Sequence, residues 1–135
     1  MTEIKKLIDE FIEDELFLEQ YTRTDNLSNE DYDAKLTVKI GKRITKNLNE
    51  ILKTDEGINE FEKLLEHPEP IIRFLAARFL YPLYPKKCLK IMEAYKKGLS
   101  DEFRRYEAEV VIKSLKKQEK VFVEQFNELY GKQMF

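Results

Sequence analysis

The stretch that most constrains this chain is residues 66–82, EHPEPIIRFLAARFLYP, in which two prolines open a helix with apolar side chains on nearly every side. Ile71, Ile72, Phe74, Leu75, Ala76, Ala77, Phe79, Leu80 and Tyr81 leave only Arg73 and Arg78 charged within it. A helix apolar almost all round has to be buried. The segment therefore reads as the central helix against which the other elements stack, and Pro82 and Pro85 end it because neither donates the bond a further turn requires.

A chain of 135 residues is long enough for one domain around such a helix, since folding at this size hides roughly two thirds of the surface of the unfolded chain. Four glycines and four prolines, with 42 % hydrophobic and 37 % charged residues, describe a helical globular chain rather than a disordered or fibrous one. The net charge of −2 steers no partner by itself. Cys88 is the single cysteine and has no second thiol in the chain to pair with. No apolar run approaches the roughly 20 residues that span a bilayer. Residues 1–20 carry two lysines against seven acids, the reverse of a secretory signal. These features predict a cytoplasmic, reduced setting and no membrane partner.

Along the chain, Ile4, Leu7, Ile8, Phe11 and Ile12 follow one helical face, extended by Leu16, Phe17, Leu18 and Tyr21, while residues 3–19 carry a net charge of −5. Residues 22–29, TRTDNLSN, break that pattern. Ser28 or Asn29 then caps a second helix with Glu30, Asp31 and Asp33 in its first turn and Leu36, Ile40, Ile44, Leu48 and Ile51 inward. Gly41 inside it is tolerated at about 1 kcal/mol relative to alanine, and its missing side chain suits close approach by a neighbouring helix. The other face carries Lys35, Lys39, Lys42, Arg43 and Lys46, and residues 35–54 sum to +5.

Thr54 or Asp55 caps a short helix with Ile58, Phe61, Leu64 and Leu65 inward, and the turn at His67-Pro68-Glu69-Pro70 leads into the central helix. Pro85 opens the next helix, which buries Cys88, Leu89, Ile91, Met92 and Tyr95 and stops at Gly98. Ser100, Asp101 and Glu102 start another with Phe103, Tyr106, Ala108, Val111, Ile112 and Leu115 as its apolar set. After the polar link 116–120, residues 121–130 read as a last amphipathic helix.

Two of these helix pairs repeat. An offset of 32 sets Arg73 over Arg105, Phe74 over Tyr106, Ala76 over Ala108, Leu80 over Ile112 and Leu83 over Leu115. An offset of 31 sets Ile58 over Leu89, Phe61 over Met92 and Leu64 over Tyr95. Helix pairs of this size bury their apolar faces only by stacking on one another. The fold class expected is all-α, a single domain over 1–135, with a degenerate first pair (1–54), a second pair (55–83), a third (85–118) and a C-terminal capping helix (119–135).

EHPEPIIRFLAARFL resembles the second helix of a HEAT-type repeat, with an acidic, proline-containing turn, an apolar residue before arginine at Ile72-Arg73, and paired small residues at Ala76-Ala77. Residues 57–118 as a whole resemble a family of small bacterial proteins classed as a domain of unknown function. The resemblance implies a right-handed α-α superhelix and brings no established activity. The second copy departs from it at Arg104, opposite Ile72, and at Glu109, opposite Ala77.

In such a superhelix Lys35, Lys39, Lys42, Arg43 and Lys46 share a concave layer with Arg78 and Arg104, a surface for an acidic protein or a polyanion. The competing reading has these cations facing the acidic first helix and solvating the fold. Phe74 and Leu75 face outward in an ordinary HEAT unit, so a neighbouring helix or a partner covers them. Tyr81 and Tyr84 beside Lys86 and Lys87 either anchor a partner or pack over a turn. Arg73 and Arg105 occupy the repeat's structural position, where the guanidinium bonds an acid or carbonyl in an adjacent unit. His67 is the only histidine and lies in a turn, and Cys88 is expected in the core. The chain therefore offers no Cys-His pair, zinc set or glycine-rich phosphate loop, and no catalytic residue, metal or cofactor is expected. The leading expectation is a non-enzymatic module that binds another protein, in one form an immunity or antitoxin-like protein; the alternative is nucleic-acid binding through the basic stripe.

Overall fold

Two antiparallel helices form the first unit because each has one apolar stripe and nowhere else to bury it. In the computed structural model, which describes residues 3–21, 33–117 and 128, α1 (Glu3–Tyr21) packs along α2 (Ala34–Ile51). Tyr21 meets Asp33, Asp14 meets Arg43 and Glu10 meets Asn47, so the partners run in opposite order along the two helices. Phe11 and Ile51 are fully buried, with Ile8, Ile40, Ile44 and Leu48 completing the seam. Burial of side chains of this size stabilises by roughly 1.5–3 kcal/mol each.

The start of α2 differs from the sequence expectation. Ser28 to Asp31 lie outside the described residues, and Asp33, expected inside the first turn, is itself the cap: its carboxylate accepts from the Lys35 N–H at 2.9 Å. The Asp33 N–H donates to the Tyr21 hydroxyl at 2.7 Å, which ties the cap of α2 to the end of α1. At the other end Thr54 caps α3 (Asp55–Glu62), its hydroxyl accepting from the Gly57 N–H at 3.0 Å.

The chain divides into two compact units, residues 1–60 and 61–135, with α3 running across the boundary. In the second unit a 3-10 turn (Lys63–Glu66) is followed by α4 (Pro70–Leu80), α5 (Pro85–Lys97) and α6 (Glu102–Lys117). α4 packs on the 3-10 turn and on α5, and α5 packs on α6. Ile72, Ala76, Ala77 and Leu80 are wholly buried, as the apolar belt of residues 71–81 predicts. The described residues are all-helical, with six α-helices and no strand.

Arg73 secures the entry to α4. Its guanidinium donates to the backbone oxygens of His67 at 2.6 Å and Pro68 at 3.1 Å, while His67 Nδ1 accepts from the Glu69 N–H at 3.0 Å. The carbonyls of a proline-rich turn lack helical donors, and one arginine supplies them. Arg105, its expected counterpart, is exposed and makes no such bond with any described residue. Phe74 and Tyr106 also part company: Phe74 is buried against Tyr95, with ring centroids 4.7 Å apart, whereas Tyr106 is 67 % exposed. The repeat thus holds at Ala76 and Ala108 and at Leu80 and Ile112, all buried, but not at the two positions beside them.

Phe103, placed with the buried set of α6 by its spacing, is 60 % exposed, as Val110 is at 47 %. Ala108, Ile112 and Leu115 alone form the fully buried face. Glu109 is not a packing defect: it bonds Lys96 of α5, which also reaches Glu93 at 3.2 Å. The Lys96 hydrogen bond holds the Glu109 carboxyl below the ordinary glutamate range, and Glu109 in turn raises Lys96. The last amphipathic helix expected from the sequence, residues 121–130, lies outside the described residues apart from Glu128.

The glycine that admits a close backbone approach is Gly57, not Gly41 as expected. A Cβ at Gly41 would meet nothing within 4 Å, so this residue permits no close approach, whereas a Cβ at Gly57 would sit 1.7 Å from the backbone oxygen of Ile51. Gly41→Ala should therefore stabilise by about 1 kcal/mol, and Gly57→Ala, in a helix where alanine is ordinarily favoured, should destabilise by roughly 1–3 kcal/mol. Urea denaturation of both variants checks the opposite signs. A carboxyl held below its usual range contributes stability above the usual value and loses it as pH falls through the lowered one. Lys96→Met should accordingly be less stable than the parent chain at pH 7, with the difference shrinking as acid protonates Glu109 below the ordinary glutamate range; a difference that stays constant as the pH is lowered contradicts the pairing.

Candidate functional site

The basic face of α2 is built by helical spacing from a fixed cap. From Asp33, steps of 4, 3 and 4 put Lys35, Lys39, Lys42 and Lys46 within a narrow arc of the helix surface. All four are exposed, and none forms an ion pair with a described residue. Arg43 stands on the edge of this row and is different in kind.

Arg43 turns toward α1 and grips Asp14 with two bonds, Nε to Oδ2 at 2.8 Å and Nη2 to Oδ1 at 2.6 Å. The Asp14 side chain is only 7 % exposed, that of Arg43 45 %. The fork geometry matches both carboxylate oxygens at once, and Asp14 raises the Arg43 pKa, so the cation is never lost. One turn away, buried Asn47 donates from Nδ2 to Glu10 Oε1. Arg43 thus differs from the lysines beside it: its guanidinium is engaged at the helix seam while 45 % of its side chain stays exposed.

In the sequence Asp14 is one of the acids behind the −5 charge of residues 3–19, and Asn47 carries no reading. The signal was present, because residues 7, 11, 14, 18 and 21 follow the apolar register of α1 and only 14 is polar. A polar residue on an apolar register needs a partner on the facing helix.

The remaining predicted site residues lie in the second unit. Phe74 and Tyr81, at 5 % and 3 % exposure, are part of the core and leave no surface for a partner. Arg78 is exposed at the end of α4, with its guanidinium carbon 5.9 Å from the ring of Phe79. Arg104 is half-buried, with Nε 4.0 Å from the Asp101 carboxylate at the start of its own helix. Tyr84 packs over its turn, its hydroxyl donating to Glu62 at 3.2 Å, and Lys87 approaches the same carboxylate at 3.5 Å.

Burial pushes the Cys88 thiol up to about 12, so almost no thiolate exists at neutral pH. Among the described residues no three of His, Cys, Asp or Glu gather where they would hold a metal ion. No described helix is long and apolar enough to cross a membrane. Of the predicted surface, the four lysines and Arg78 stand open to solvent, as does the part of Arg43 that Asp14 does not cover.

No protein-family model, curated protein or solved structure matches the chain.

Removing one member of a buried pair leaves an uncompensated charge. Arg43→Met should lower the denaturation midpoint clearly, while Lys39→Met and Lys46→Met stay within about 0.5 kcal/mol of the parent. In a double-mutant cycle the effect of Arg43→Met should shrink once Asp14 is asparagine; strictly additive effects would contradict the assignment.

Proposed function

We propose that the chain is a non-enzymatic binding module that receives an acidic protein partner on the lysine face of α2. The observation that carries this reading is the sorting of cations on one helix: Arg43 is engaged by Asp14, while Lys35, Lys39, Lys42 and Lys46 stay exposed without an acid among the described residues. Four ammonium groups in one row repel one another and gain from an opposing acidic surface. The buried thiol and the turn histidine, whose Nδ1 is taken by the Glu69 N–H, offer no nucleophile with its base, which supports binding over catalysis.

The finer form of the proposal is a HEAT-like α-α superhelix of the small bacterial type, acting in the cytoplasm as an immunity or antitoxin-like protein. Its support is the sequence of residues 66–80 and the agreement of Ala76 with Ala108 and Leu80 with Ile112. Nucleic-acid binding is the second reading, and the same row favours it, because each lysine that meets a phosphate releases a counterion.

Charge reversal separates these. The Lys39→Glu, Lys46→Glu double variant should keep the parent's circular dichroism and lose a partner co-purified from the native host, which high salt should also release. Recovery of the same partner by both proteins would refute the lysine face. Binding of DNA or RNA at low salt, with a log–log salt slope of roughly −3 to −4 for four contacts, would replace the acidic protein with a nucleic acid.

A further inference from the structure

Phe103, Tyr106 and Val110 lie on one stripe of α6, at 60 %, 67 % and 47 % exposure. At 100° per residue this stripe is on the side of the helix opposite Ala108, Ile112 and Leu115, the face buried against the rest of the unit. Three large apolar side chains in a row on the outside of a helix mark a contact surface. What identifies its occupant is the charge beside it.

Glu102 and Lys113, both exposed, are separated by three helical turns and flank the stripe on the same side, one at each end. Lys117 continues the basic end, and the helix dipole is positive at the Glu102 end and negative at the Lys117 end. A twofold axis across the stripe, in the plane of the contact, brings a second α6 alongside in the antiparallel sense. It leaves each flank facing itself with the ends exchanged. Glu102 of one copy then meets Lys113 of the other, twice, beside the Glu109 carboxylate 3.7 Å from Lys113 in its own helix, while exposed Glu107 on the opposite flank meets its own twin; Phe103 lies beside Val110 of the other copy, and the two Tyr106 rings meet near the axis. Self-complementarity of this kind is what an isologous contact requires.

We propose that the chain self-associates through this stripe, as an antiparallel α6–α6 dimer. The apolar area offered by three side chains is small against the roughly 1,200–2,000 Å² of a standard interface. Association is therefore reversible and depends on concentration. The inference does not rest on the lysine face of α2.

Sedimentation equilibrium of the full chain tests it. The parent should shift from monomer to dimer with rising concentration, and Tyr106→Asp should weaken the dimer by on the order of tenfold or more while leaving the melting temperature of the dilute monomer unchanged. Glu102→Lys and Lys113→Glu should each weaken it roughly three- to tenfold, and the two together should restore it, which a merely destabilised helix would not do. A chain that stays monomeric to millimolar concentration overturns the proposal. In that case hydroxyl-radical footprinting at Tyr106 shows whether residues 118–135 protect the stripe or leave it open to a different protein. A dimer indifferent to Tyr106→Asp and to the charge exchange overturns it equally.

Discussion

The bond between Asp14 and Arg43 decides how the first unit is arranged, because there a buried acid of the first helix meets a cation of the second through both of its oxygens. A carboxylate this enclosed is costly unless paired, and the guanidinium fork supplies both of its oxygens with donors. The pair also fixes register. Asp14 opposite Arg43 and Glu10 opposite Asn47 lock the same antiparallel alignment that the Tyr21 hydroxyl imposes at the Asp33 cap. Sliding either helix by a turn would bury an acid against an apolar side chain. Since Arg43 faces inward in that register, the four lysines beside it are turned outward.

The second unit solves its polar problems separately. Its apolar central helix has two weak points, the proline-rich turn before it and the hairpin after it. Arg73 satisfies the carbonyls of the first, and Tyr84, hydrogen-bonded to Glu62, covers the second. Burial followed by the nearby Glu62 charge raises the Tyr84 pKa, so the hydroxyl remains a donor at neutral pH. The seam between α5 and α6 is apolar at Met92 and Ile112 and ionic at its margin, where Lys96 bridges Glu93 and Glu109.

The helices were legible in the sequence wherever a strong apolar period met a recognisable stop. Residues 71–81, the cap at Asp101 and the prolines at 70, 82 and 85 specify most of the second unit without reference to distant contacts. The direction of an individual side chain was less legible, since it depends on which helix lies opposite. Phe74 and Tyr106 share a place in the internal repeat, yet α5 covers the first and no described helix covers the second. Arg43 looked like one more cation in a row of five, and only the facing Asp14 distinguishes it. Gly57 carried no signal at all, because the carbonyl it makes room for belongs to the end of the preceding helix.

If the seam between α1 and α2 is organised by that ion pair, the guanidinium of Arg43 is held rigid while those of exposed arginines rotate freely. Nitrogen-detected NMR of the arginine side chains reads this directly. At neutral pH the account predicts that the Arg43 Nε–H exchanges slowly with water and reverts to ordinary behaviour in Asp14→Asn. An Arg43 Nε–H exchanging as fast as that of exposed Arg78, and unchanged by Asp14→Asn, would contradict it.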